Sequence, residues 1–105
     1  MAPSAAPPLS HPATGELTLE AVLHALSDPV RLQVVRTLAA EQDARACGTF
    51  GLPVSKSTAS HHFRVLREAG VITQEVHGRE RLITLRRADL DARFPGLLGS
   101  VLAAR

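Results

Sequence analysis

Between Ser55 and Leu85 the apolar pattern changes period once, and this change constrains the fold more than any other feature of the chain. Ala59, Phe63 and Leu66 recur at helical spacing, with Ser55 placed to cap the helix and Gly70 placed to end it in the left-handed conformation that side chains resist. Past Gly70, Ile72, Gln74 and Val76 alternate with their neighbours, His77 and Gly78 offer a turn, and Arg81, Ile83 and Leu85 continue a return strand. A helix over residues 57–69 therefore runs into a two-stranded hairpin with an arginine-bearing tip. The helix buries Ala59, Phe63 and Leu66, with His62 at the edge. Its opposite face shows Ser57, Ser60, His61, Arg64 and Glu68, short donors and an arginine suited to reaching into a groove.

Upstream, Leu19, Val22, Leu23 and Leu26 stand at i, i+3, i+4 and i+7 and predict a first helix over about residues 18–26. Asp28 before Pro29 is a restart signal, because a carboxylate accepts from first-turn N–H groups while proline fits the first helical position. The second helix runs to about Ala40, with Leu32, Val34, Val35 and Leu38 inward. Residues 43–54 contain Gly48, Gly51 and Pro53 among apolar Cys47, Phe50 and Leu52, and read as a short, poorly formed third helix and a tight turn. Residues 87–105 are helical in character, with apolar Leu90, Phe94, Leu97, Leu98, Val101 and Leu102, and Pro95 breaks or kinks them. The Pro- and Ala-rich residues 1–15 read as a flexible arm, leaving 16–105 as one folded domain.

A chain of 105 residues leaves little room for a separate catalytic module. No Ser-His-Asp set, phosphate loop or pair of metal-binding carboxylates has motif support, so no enzyme is expected. Three Phe with neither Trp nor Tyr suit a helical core, not a sugar-binding or base-stacking surface. The formal net charge of +2 is unevenly spread. Residues 1–44 hold two Arg against five acids, whereas 55–87 hold Lys56, Arg64, Arg67, Arg79, Arg81, Arg86 and Arg87 against Glu68, Glu75 and Glu80. The basic stretch is where a phosphate backbone is expected. No apolar run approaches the roughly 18 residues that span a bilayer. The first residues lack a secretory pattern, so a cytoplasmic location without membrane contact is expected.

The element order, helix, helix, short helix, helix, hairpin, helix, is that of a winged helix-turn-helix, mainly α with a β-hairpin wing. The blocks Leu26-Ser27-Asp28-Pro29-Val30-Arg31-Leu32, Ser57-Thr58-Ala59-Ser60-His61-His62-Phe63-Arg64-Val65-Leu66-Arg67-Glu68-Ala69-Gly70-Val71-Ile72 and His77-Gly78-Arg79-Glu80 closely resemble the signature of the ArsR family. The resemblance covers about Leu19 to Leu85. It implies a dimeric bacterial regulator, usually a repressor, that binds operator DNA and releases it when an inducer binds or a cysteine is oxidised. It places Lys56, Ser57, Thr58, Ser60, His61 and Arg64 on the DNA-reading helix and Arg79 and Arg81 on the wing. Hydroxyls bond phosphates or base edges, Arg64 can fork onto guanine or clamp a phosphate, and the wing arginines mainly attract backbone. Homodimerisation through the first and last helices is expected, because both offer more apolar surface than so small a core needs. The competing reading is a winged helix used for protein contacts without DNA.

For the signal, resemblance and residues offer several routes. Metal-sensing relatives carry a Cys-x-Cys pair near the third helix or a His and carboxylate set on the last one. Here Ala44 and Ala46 stand at the pair, and the last helix has Asp89 and Asp91 without His. His61 and His62 point about 100° apart on a helix and do not converge on one ion. A different site drawing on His11, His24 or His77 with Glu16 or Glu20 would suit nickel, cobalt or zinc. Cys47, the single cysteine, is either a redox switch beside the DNA-reading helix or a small buried side chain. An effector molecule or partner protein is the remaining route.

Overall fold

A computed structural model describes residues 9–104. Helix α1 (Leu19–Leu26) starts where the Thr18 hydroxyl accepts from the Ala21 N–H. Beyond its end, the Asp28 carboxylate accepts from the N–H groups of Val30 and Arg31, at 2.8 and 3.1 Å, and opens α2 (Pro29–Glu41) with proline in the first turn. Gln42, at φ 62°, closes α2 in the left-handed region. A short strand, β1 (Arg45–Ala46), follows. Ser55 caps α3 (Lys56–Glu68), accepting from the Thr58 N–H at 3.2 Å. Strands β2 (Ile72–His77) and β3 (Glu80–Leu85) pair antiparallel, with His77 opposite Glu80 across the two-residue turn Gly78-Arg79. The chain ends in α4 (Arg87–Arg93) and α5 (Leu97–Ala103), separated at Phe94-Pro95-Gly96 as proline demands.

Gly70 is the junction that seats the wing on α3. Its φ of +84° is left-handed, and an added Cβ would lie 2.0 Å from the Leu17 side chain. The N–H of Val71 returns to the Leu66 carbonyl at 3.0 Å, so the helix ends and the strand begins within a few residues. Around that junction Leu17, Val22, Val34, Val35, Leu38, Leu66, Val71, Ile72, Ile83 and Leu98 form one fully buried core. Helices α1, α2, α3 and α5 and strands β2 and β3 all contribute to it.

Two expectations are corrected. The short, poorly formed third helix expected within residues 43–54 is reduced to a single 3-10 turn at Cys47–Thr49, and the unexpected strand β1 precedes it. Arg45 pairs with Ile83 and Ala46 with Leu82, so the wing is a three-stranded antiparallel sheet in the order β1-β3-β2. The free edge of β3 satisfies this backbone better than a helix interrupted by two glycines and a proline. Phe50 still reaches the core, tilted on Phe63 with ring centroids 5.4 Å apart. The observed order is therefore helix, helix, strand, helix, two strands and two helices, with short 3-10 turns before the first helix and after the first strand.

Of the arm expected over residues 1–15, the described part is bonded to the rest of the fold. Residues 1–8 lie outside the described residues, but the chain is held from His11 onward. The His11 Nε2 accepts from the Gln74 N–H at 2.9 Å on the outer edge of β2, and the Pro12 carbonyl accepts from Arg86 at 2.8 Å. Thr14–Glu16 form a 3-10 turn, and the Thr14 hydroxyl donates to Asp89 at 2.8 Å. These bonds use tertiary partners more than sixty residues away, which local composition does not reveal.

Candidate nucleic-acid interface

The first turns of α3 present a polar face built from the helix's own cap. The Ser55 hydroxyl accepts from the Thr58 N–H, donates to Thr58 Oγ1 at 3.0 Å and lies 3.3 Å from Ser57 Oγ. Lys56, Ser57, Thr58, Ser60, His61 and Arg64 are all exposed, as the helical period requires of that face. Unpaired N–H groups at the start of a helix add partial positive charge to the same end.

The structure divides the cations of residues 55–87 by what they touch. Arg67 donates to Gln74 Oε1 at 2.8 Å, and Arg86 bonds Asp89 and the Pro12 carbonyl, so both are used inside the fold. Arg87 is exposed at the start of α4, beside Gln42 and Asp43. Lys56 and Arg64 on α3, and Arg79 and Arg81 on the wing, are exposed and make no ion pair among the described residues. Lys56 and Ser60 face Arg79 and Arg81 across a groove of about 880 Å³ between α3 and the sheet. Ser57, Thr58, His61 and Arg64 lie on the open outer side of the helix. A strip of unpaired positive charge, interspersed with hydroxyls, thus runs from the wing tip onto α3.

The other residues singled out from the sequence do not join this surface. His61 is exposed, whereas neighbouring His62 is buried at the edge of the core, as expected, with its Nδ1 3.1 Å from Arg31 Nη1. Arg31 itself is buried, which the pattern of α2 did not signal. His11, His24 and His77 sit on the N-terminal segment, α1 and β2 respectively. The Nε2 of His11 is occupied by the Gln74 N–H. Burial first, then the charges of Arg67 and Arg86, hold this imidazole below its usual pKa. Among the described residues no three His, Cys, Asp or Glu side chains converge as metal ligands would. Cys47 is half-buried in the 3-10 turn and lines the groove between wing and helix. No helix of the described residues is long and apolar enough to cross a membrane.

Comparison with known proteins agrees with this geometry. Residues 26–75, from the end of α1 into β2, match the model of a helix-turn-helix domain family. The uncharacterized HTH-type transcriptional regulator YceK of Bacillus subtilis is 37% identical over 79 residues, covering 73% of this chain and 79% of that protein. The crystal structure of an ArsR family transcriptional regulator superposes with a TM-score of 0.65 at 20% identity, covering 78% of this chain and 84% of the other. That of the transcriptional repressor BigR from Xylella fastidiosa gives a TM-score of 0.60 at 26% identity, covering 83% and 88%. All three are named as transcriptional regulators or repressors, and the two solved structures share the fold described above. By its motifs, its architecture and these relatives, the chain belongs to the ArsR family of DNA-binding helix-turn-helix transcriptional regulators.

Proposed function

We propose that this regulator is an operator-binding repressor that acts as a homodimer, with α3 in the major groove and the wing on the flanking backbone. The observation that carries the reading is the separation of cations within residues 55–87: apart from Arg87, those without a partner among the described residues line α3 and the wing, while Arg67 and Arg86 are consumed by the fold. In this reading Ser57, Thr58, Lys56, Arg79 and Arg81 contact phosphates, while Ser60, His61 and Arg64 approach base edges. Dimerisation is supported by α1, where Leu19 and Leu23 remain 42% and 45% exposed although they belong to the helix's apolar stripe. A two-fold axis would then set two copies of α3 one helical turn of DNA apart. Repression is taken from the family and from the name of the Xylella relative.

The test is fluorescence anisotropy with a labelled duplex from upstream of the protein's own gene, against a random duplex, at two salt concentrations. Wild type binds the upstream duplex preferentially and loses affinity steeply with salt. Arg64→Ala weakens that binding by roughly tenfold to a hundredfold, corresponding to about 1–3 kcal/mol for a lost guanine contact. Sedimentation gives the mass of two chains. Equal affinity for both duplexes, or a monomer at micromolar concentration, sinks the proposal. Release by a metal ion such as nickel, cobalt or zinc, by an oxidant acting at Cys47, or by a small-molecule inducer is read in the same assay. Each is added to the preformed complex, and the one that dissociates it is the signal.

A further inference from the structure

The middle of α3 is held from behind by a side chain of another helix. Arg31, in the first turn of α2, is only 7% exposed, and each nitrogen of its guanidinium is engaged. Nε donates to the Ala25 carbonyl at 2.8 Å, Nη2 to the His24 carbonyl at 3.1 Å, and Nη1 to His62 Nδ1 at 3.1 Å. The two carbonyls belong to the last turn of α1, the end that carries negative partial charge. Arginine only donates, so His62 Nδ1 must present its lone pair. The opposite ring nitrogen, Nε2, stands 3.9 Å from Asp28, the same carboxylate that caps α2.

The end of α1, the first turn of α2 and the middle of α3 therefore meet at one polar knot beside the apolar core. Apolar contacts tolerate small rolls of one helix on another, whereas a buried, charge-assisted hydrogen bond strongly favours one geometry. His62 follows His61 directly and is two residues from both Ser60 and Arg64. Any roll of α3 that breaks its bond to Arg31 swings those three side chains.

We infer that Arg31 and His62 are positioning residues for DNA reading, their hydrogen bond setting the roll and depth of α3 relative to α1. The inference rests on the operator-binding reading above. Operator affinity then depends on a pair that faces away from the DNA. Because α1 also carries exposed Leu19 and Leu23, the same bond ties the expected dimer face to the reading helix.

The experiment compares His62→Asn, whose amide oxygen keeps an acceptor near the place of Nδ1, with His62→Leu, which fills the space and accepts nothing. The probe is the duplex that the wild-type protein enriches from a random-sequence pool, with an unselected duplex as reference. Binding is measured well below each variant's melting temperature, with the folded fraction checked by circular dichroism. His62→Leu should lose about tenfold or more in affinity for the enriched duplex and most of its preference over the reference. His62→Asn should recover most of both. Loss of preference in a folded protein is the readout that a merely stabilising residue would not move. Should the leucine variant not fold, His62→Gln, which carries its acceptor one bond further out, replaces it and should fall below His62→Asn. Wild-type preference in folded His62→Leu, or an asparagine variant no better than its comparator, overturns the inference. If wild type enriches no duplex, the operator reading itself fails and takes this inference with it.

Discussion

The two faces of α3 are made from the same residue types and have opposite fates. His61 is exposed while His62 is buried on Arg31, and Arg64 is exposed while Arg67 bonds Gln74 beneath the wing. On the inner face His62 bonds Arg31 beside buried Phe63 and Leu66, and at the flank of that face half-buried Arg67 bonds Gln74. On the outer face the hydroxyls are organised by Ser55, and Arg64 meets no carboxylate among the described residues. For the two histidines the cause is the angle of about 100° per residue, which sends adjacent side chains to different environments. Residue type alone would group the two histidines together, and the two arginines.

Substitutions that respect this division should separate stability from DNA binding. The largest stability effect is expected at Phe63→Ala, which empties the contact with Phe50 and costs about 3–5 kcal/mol, enough to leave much of a small domain unfolded. Urea denaturation measures it, and a variant as stable as wild type would show that the inner face does not hold the fold. Ser55→Ala acts where the two faces meet, since one hydroxyl caps the helix and orders Ser57 and Thr58. It should lower stability by about 1 kcal/mol and weaken DNA binding modestly. An unchanged unfolding midpoint would mean the cap is not needed.

The smallest effect is expected at the far end of the helix, where His11 rests on β2 beside Arg67. Its pKa is lowered from an ordinary 6.5, chiefly by burial and then by the charges of Arg67 and Arg86. The folded state therefore favours neutral His11, and the unfolded chain binds a proton more readily. The stability this contributes is present above pH 6.5 and is lost as pH falls through the lower folded-state value. His11→Ala should show a shallower loss of stability on mild acidification than wild type, by unfolding midpoints on either side of that pH. Identical profiles would exclude His11 as a linked group.

Much of the fold and of the candidate site is readable from local signals. Thr18, Asp28 and Ser55 cap helices through their own side chains, Gly70 supplies a backbone conformation others resist, and Gly78 serves the hairpin turn; all act within a few residues. The exposed face of α3 follows from its period in the same way. Strand β1 does not, because two residues carry no alternation and become extended only against the edge of β3, where Arg45 meets Ile83 and Ala46 meets Leu82.

Caps, turns and apolar periods are local chemistry, and they suffice to say where the main helices and the hairpin begin and end and which face of α3 turns outward. Packing alone adds that β1 completes the wing, that His11 fastens the N-terminal segment to β2, and that Arg31 is buried against His62. Each of these rests on a donor and an acceptor far apart in the chain. A buried polar group is stable only when its partner arrives, and that partner is set by how the helices and sheet come together.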